Sequence, residues 1–246
     1  NGIAVATHLA IMEDKSLVHG PLEFLFTIDE ETGMTGAFNL DPGILKGRIM
    51  LNLDSEDEGT IFVGCAGGGD TSLTLPVTRT QAPAGFVSRT LKIAGLLGGH
   101  SGLDIAKARG NAIKVLARAL AAGGAIEGDV LVSCIQGGSK RNAIPREAEA
   151  ELMVLETAVD DLSGIIGEEA ANIGAELGGR EANMSVKIVP AERPSGRVMD
   201  AESQRKLLNL LAALPHGVHT MCYDIPGLVE TSNNLKNGLP VLKRLQ

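Results

Sequence analysis

Three carboxylates stand where carboxylates can do chemistry. Glu30 and Glu31 belong to the run Asp29-Glu30-Glu31 after the apolar segment LEFLFTI (22–28), and Asp54 ends a second apolar segment, RIMLNLD (48–54). Ligands of an open parallel sheet gather outside the carboxyl ends of its strands, and both acidic groups fall at that edge. Successive side chains at an extended strand end point opposite ways, so Glu30 and Glu31 are expected to divide the work, one holding a cation and the other facing a water. That division suits metal-assisted hydrolysis, in which the ion lowers the pKa of a bound water and a separate carboxylate takes its proton. The plainer alternative is a set of solvated acids at a strand end and in a turn.

Among the five histidines, His100 has the most distinctive setting. In LLGGHSG, Gly98, Gly99 and Gly102 let the backbone bend sharply and Ser101 can open a following helix. An imidazole held there can donate to a developing oxyanion; the alternative is a turn histidine without a partner. His8, His19, His216 and His219 form neither an H-E-x-x-H motif nor a His-x-His pair and read as ordinary. Asn142 offers four hydrogen-bonding positions between the glycines of GGSKRNAIPRE (137–147) and Ile144-Pro145, the character of a recognition loop. Gly-Gly-Gly-Asp (67–70) lacks the Lys-Ser/Thr of a phosphate loop, which leaves a nucleotide reading weak.

The elements that must position these residues follow from periodicity. A helix is expected over 3–12, then strands at 22–28, 48–54 and 60–64 with a short helical stretch between the first two. Runs apolar on both faces suit a covered parallel sheet joined by a right-handed crossover. Glycine crowding in GCAGGGDTS (64–72) marks a boundary near residue 70. Beyond it come strands at 72–78 and 88–94, a helix over 104–122 with an apolar stripe at Ile105, Ala108, Ala112, Leu116 and Leu120, and a strand at 129–135. A strand at 147–155 alternates Ala148, Ala150, Leu152 and Val154 with Glu147, Glu149 and Glu151, so one of its faces is wet. A helix over 159–177 and a strand at 183–189 complete β-α-β-β-α-β, the split-βαβ, ferredoxin-like arrangement. A helix (200–214) and a strand (217–224) extend it. The fold class is α/β: a partial parallel-sheet domain over 1–70, then a ferredoxin-like domain over 71–246 whose core spans about 86–190.

Composition bounds the partners. Of 246 residues, 22 are basic and 30 acidic, giving a net charge of −8, a poor footprint for nucleic acid or an anionic membrane. With 44% hydrophobic residues and no tryptophan, the chain can bury a sizeable, aliphatic core. No apolar run approaches the roughly 18 residues of a membrane span. Cys65, Cys134 and Cys222 form no C-x-x-C and suit a reducing cytoplasm. The chain opens on Asn1-Gly2 and enters a helix-like run at once, which reads as a segment of something longer.

FTIDEETGM, LNLDSEDEG, GCAGG, GGHSG and RNAIPREA, taken in order, resemble the M20 metallopeptidase family, and within it the bacterial aminoacyl-histidine (Xaa-His, carnosinase-like) dipeptidases. The resemblance covers nearly all of 1–235 and implies a zinc-binding α/β domain with an inserted lid. It implies Glu30 as general acid/base, Glu31 as a carboxylate ligand of one Zn2+ ion and Asp54 as a ligand of the other. His100 would steady the tetrahedral intermediate from the lid, and Asn142 would contact substrate. The implied reaction is attack on a dipeptide carbonyl by a water held between two zinc ions, in a cytoplasmic enzyme for which a homodimer is open. Of the protein ligands such a site needs, only Glu31 and Asp54 have counterparts here; the others would precede Asn1 or follow ETSNNL (230–235). Two carboxylates alone should hold zinc poorly, so the isolated chain is expected to be inactive. The tail LKNGLPVLKRLQ (235–246) departs from the family. Two other readings stay open: a non-catalytic ferredoxin-like binding or regulatory module, and a degenerate, metal-free relative. Three carboxylates at one sheet edge argue against the former.

Overall fold

The computed structural model describes residues 2–54, 57–125, 127–128, 130–138, 140, 142–192 and 196–236. Ser139 and Arg141 of the expected recognition loop, and the tail from residue 237, lie outside the described residues. Internal contacts divide the chain into two units, Asn1–Gly69 and Asp70–Gln246.

The first unit contains α1 (Gly2–Glu13) and two single turns of helix, α2 (Glu30–Gly33) and α3 (Thr35–Phe38). None of its described residues is buried. The segments 22–28, 48–54 and 60–64, expected as parallel strands, pair with nothing in a sheet among the described residues. A parallel strand needs hydrogen-bonding neighbours and cover on its faces. Here Ile49, Leu51 and Val63 are 86%, 78% and 99% exposed, so the apolar pattern is present and the cover is not.

The second unit is built on strands that behave as the alternation predicts. It contains β1 (Arg79–Gln81), β2 (Phe86–Ala94), β3 (Gly99–His100), α4 (Ala112–Ala122), β4 (Val130–Gly137), β5 (Ala143–Ile144) and β6 (Ala148–Leu155). There follow α5 (Val159–Leu177), β7 (Ser185–Pro190), β8 (Arg197–Met199), α6 (Ala201–Ala213), β9 (Gly217–Met221) and β10 (Val229–Asn233). Strands β4-β6-β2-β7 form an antiparallel sheet in that order, the ferredoxin-like order expected of β-α-β-β-α-β. In register, Leu91 faces Ala150 and Ile188, and Ile135 faces Ala150 from the other side. These side chains and Ile93, Val132 and Leu152 bury one face of the sheet in a core shared with Leu116 and Leu120 of α4 and Ile166 and Ile173 of α5. The opposite face carries Lys92 against Glu149, and Glu149 against Gln136, as the alternating glutamates require.

The expected helix over 104–122 is divided. Residues Ile105–Lys107 form a 3-10 turn, Ala108 takes a left-handed conformation (φ 50), and α4 begins only at Ala112. Asn111 caps α4 by accepting from the Ile113 and Lys114 amides. A Cβ on Gly110 would stand 2.8 Å from the Leu96 Cδ2 methyl, so a larger residue here would have to displace a core side chain.

Three polar arrangements fasten α6. Asp200 caps its start, accepting from the Ser203 amide at 2.8 Å. Gln204, 2% exposed, accepts from the Val132 amide on the outer edge of β4 and donates to the carbonyls of Ala125 and Val130. One side chain thereby satisfies the Val132 amide and the Val130 carbonyl on that edge. Lys114 closes the helix's other end, its ammonium donating to the carbonyls of Leu211, Ala212 and Leu214 at 2.8 Å each. A cation at a helix C-terminus meets both the unpaired carbonyls and the negative end of the dipole.

Candidate active site

His100 is held by a loop that closes on itself. Gly98 and Gly99 adopt φ values of 62 and 142, and a Cβ on Gly99 would collide with the Arg109 guanidinium and the Asp104 carboxylate. Only glycine lets the backbone pass between them. The His100 amide donates to Asp104 Oδ2 at 2.8 Å, and the His100 ring Nδ1 accepts from the amides of Gly102 and Leu103 at 3.1 and 3.2 Å. With Nδ1 engaged as an acceptor, the ring proton is carried on Nε2, and the residue is exposed. The arrangement supplies an outward N–H donor of fixed tautomer.

Asp104 is the centre of the brace. Its carboxylate accepts from the His100 amide and meets Lys107 at 2.7 Å and Arg109 at 3.1 Å. The Lys107 side chain first, then the His100 amide and the charges of Arg109 and Lys107, hold its carboxyl below the ordinary range. Arg109 in turn donates to the Gly98 carbonyl.

Asn142 stands beside this loop. Strands β3 and β5 pair antiparallel, His100 opposite Ala143, and the Ser101 amide donates to the Asn142 carbonyl at 2.8 Å. The side chain of Asn234 donates to the Ala143 carbonyl at 2.9 Å, so ETSNNL tethers the same ribbon. Neither the ribbon nor the tether was visible in the sequence, because two-residue strands carry no periodicity. Next to it opens a groove of about 870 Å³ lined by Lys92, Gln136, Lys140, Ala143, Arg146 and Glu149. Its lining mixes these charged groups with apolar Ile93, Ile144 and Pro145.

The acidic residues lie in the other unit. Glu30 and Glu31 occupy the first turn of α2, both exposed, and Asp54 is exposed after the second apolar segment. Because the pair sits on a helical turn, its side chains diverge by about 100° instead of pointing to opposite faces of a strand. Asp29 has φ 62 and accepts from the hydroxyls of Thr32 and Thr35, the latter at 2.5 Å; these bonds, Thr32 first, lower its carboxyl pKa. Gly36 is required where the chain doubles back over Ile28, since a Cβ would stand 2.6 Å from the Ile28 nitrogen. The turn thus fixes the backbone beneath Glu30 and Glu31.

This donor set falls short of a zinc site. Among the described residues no three His, Cys, Asp or Glu side chains converge to hold a metal ion. Glu31 and Asp54 give carboxylate oxygens only, fewer donors than zinc takes from protein and without its preferred nitrogen or sulfur. The residues described do not by themselves make a zinc centre. No helix is long and apolar enough to cross a membrane among those described.

Comparison with known proteins agrees with this architecture. Residues 91–181 match the model of the M20 peptidase dimerisation domain. The chain is 42% identical over 235 residues to the cytosol non-specific dipeptidase of Escherichia coli (strain K12), a match covering 96% of this chain and 48% of that protein. It is similar in structure to the aminoacylhistidine dipeptidase of Vibrio alginolyticus, with a TM-score of 0.76, 42% identity and coverage of 96% of this chain and 48% of the other. The chain therefore spans about half the length of these relatives. The likeness to the M20 peptidase dimerisation-domain model over residues 91–181 is thus set in a chain similar to dipeptidases along nearly its whole length.

Proposed function

We propose that this chain is the lid-bearing part of a metal-dependent dipeptidase that cleaves Xaa-His dipeptides. On this reading residues 1–70 are part of the catalytic, metal-binding domain and 71–246 form the lid. The observation that carries the reading is the β3–β5 ribbon: it holds the exposed His100, whose Nδ1 accepts from two backbone amides and so leaves the ring proton to Nε2, close in the chain pairing to Asn142 and next to a groove of charged and apolar side chains. A peptide carbonyl becoming tetrahedral needs such a donor, fixed before the reaction begins. Asn142 would hold the peptide in register. Glu30 would take the proton of the attacking water and pass it to the leaving amine, as one side chain can in both halves of a hydrolysis. Glu31 and Asp54 would be two of the carboxylates facing the metal pair, with the remaining donors coming from residues other than those described. Zinc, when bound there, would supply an activated water. The dimerisation-domain match supports a homodimer, and the likeness to a cytosol non-specific dipeptidase supports a cytoplasmic setting.

The test compares a full-length dipeptidase carrying this sequence with residues 1–246 alone. Zinc content and hydrolysis of Xaa-His dipeptides are measured in both. Full-length protein should bind zinc stoichiometrically and turn over, while the segment should do neither. Glu30→Gln should cost about 10²- to 10⁴-fold in kcat, and His100→Ala about 10²- to 10³-fold. Failure of zinc-loaded full-length protein to hydrolyse any dipeptide would sink the reading, as would full activity in Glu30→Gln.

A further inference from the structure

Glu181 is an acid that the proposed chemistry does not use. It is 4% exposed, and among the described residues no cation pairs with it. A carboxylate in such a place is costly unless hydrogen bonds replace its water. Both oxygens are used: Oε2 accepts from the Leu97 amide at 2.8 Å, and Oε1 accepts from the Gly110 amide at 2.8 Å. These amides bracket the loop that carries His100. The loop turns at Gly98 and Gly99, which take positive φ without steric cost, and at the left-handed Ala108, a conformation that persists only where the surroundings impose it. One carboxylate, far away in sequence, closes the base of the loop by binding both of its ends. Asp104 and the Asn142 carbonyl then fix its tip.

We propose that Glu181 is the positioning residue for His100: by clamping the Leu97 and Gly110 amides it holds the loop in the one shape that leaves the imidazole's Nε2–H facing outward. The inference rests on the reading of His100 as an oxyanion donor, but its geometric half can be tested without activity. Glutamine at 181 can accept from one amide only, since its NH2 group would face the other donor. The geometric arm uses residues 1–246. In the native protein, hydrogen exchange should find the Leu97 and Gly110 amides as protected as those of β2, and the ¹⁵N spectrum should show His100 with its proton on Nε2. Glu181→Gln should lose protection at one or both amides and mix the two His100 tautomers. The kinetic arm uses full-length dipeptidase, where Glu181→Gln should lower kcat by about 10- to 100-fold with KM changed less than about twofold. The double variant with His100→Ala should be no slower than His100→Ala alone, because Glu181 acts through that ring. Free exchange of the two amides in the native protein would overturn the clamp even if Glu181→Gln failed to fold. An unchanged His100 tautomer in a folded Glu181→Gln, or losses that add in the double variant, would overturn the positioning role. Inactive full-length protein with the tautomer shift intact would instead count against the dipeptidase reading and leave the clamp standing.

Discussion

Acid should weaken the second unit through one histidine. His216 lies between Asn111, whose Nδ2 is 3.2 Å from His216 Nδ1, and the ammonium of Lys114. Burial first, and then the Lys114 charge, push His216 down from 6.5 to about 4, against a backbone hydrogen bond at Arg109 that acts the other way. The folded pKa lies below the unfolded one, so between these values the unfolded chain binds a proton that the folded chain refuses. Stability is therefore complete above the unfolded value and falls as the pH drops from 6.5 towards 4. Going from about pH 7.5 to about pH 5 should cost about 2 kcal/mol from this residue, an upper bound because part of the ring meets solvent.

The assay is urea unfolding of residues 1–246 at those two pH values, for the native sequence and for His216→Gln. Glutamine keeps a polar group for Asn111 and cannot titrate. The difference in unfolding free energy between the two conditions should shrink by up to about 2 kcal/mol in the variant, with the carboxylates common to both proteins cancelling. If the pH dependence is the same with and without the imidazole, the ring is not held neutral by its surroundings and the reasoning fails.

Other consequences follow from the packing. Gly95 has φ 79, and a Cβ there would lie 1.9 Å from the Asn183 carbonyl oxygen, so Gly95→Ala should lose about 3 kcal/mol or more in urea unfolding. Gln204→Leu strands the Val132 amide and two carbonyls inside the protein; a loss of about 2–4 kcal/mol is expected, with the Val132 amide itself losing exchange protection. Lys114→Met removes the donor shared by three carbonyls at the C-terminal end of α6 and should cost about 2 kcal/mol. In the same variant, NMR titration should find His216 protonating at higher pH, since a neighbouring positive charge has gone.

How far the sequence predicts the molecule depends on where each element finds its partners. Strand β6 and helix α5 were legible because Ala148, Ala150, Leu152 and Val154, and Leu162, Ile166 and Ile173, bury the face their period assigns. Their neighbours lie within the same ferredoxin-like unit, so local pattern and packing agree. Segments 22–28 and 48–54 have as strong an apolar signal and form no strand, because a buried strand is specified by its neighbours as well as by its own residues. The helix expected from Asp104 failed for a different reason. Its stripe at Ile105, Ala108 and Ala112 has the right spacing, but Gly110 and the cap at Asn111 mark the true start, and a cap outweighs a marginal first turn.

The site divides along the same line. The types of Glu30, Glu31, Asp54, His100 and Asn142 could be singled out because acid, imidazole and amide groups advertise their chemistry in sequence. What braces His100 could not. Asp104 looked like the start of a helix, and Glu181 lies 84 positions from the Leu97 amide it receives. A buried carboxylate bound by two backbone amides leaves no trace of motif or spacing, since its partners have no side-chain identity to recognise. Glycine offers the one indirect signal: Gly98 and Gly99 combine positive φ with a close approach, to Arg146 and to Asp104 and Arg109, and Gly110 passes close to Leu96. Such constraints around one histidine mean that the loop's shape is specified by how closely its backbone packs against neighbouring side chains, and Glu181, far off in the chain, ties the two ends of that shape together.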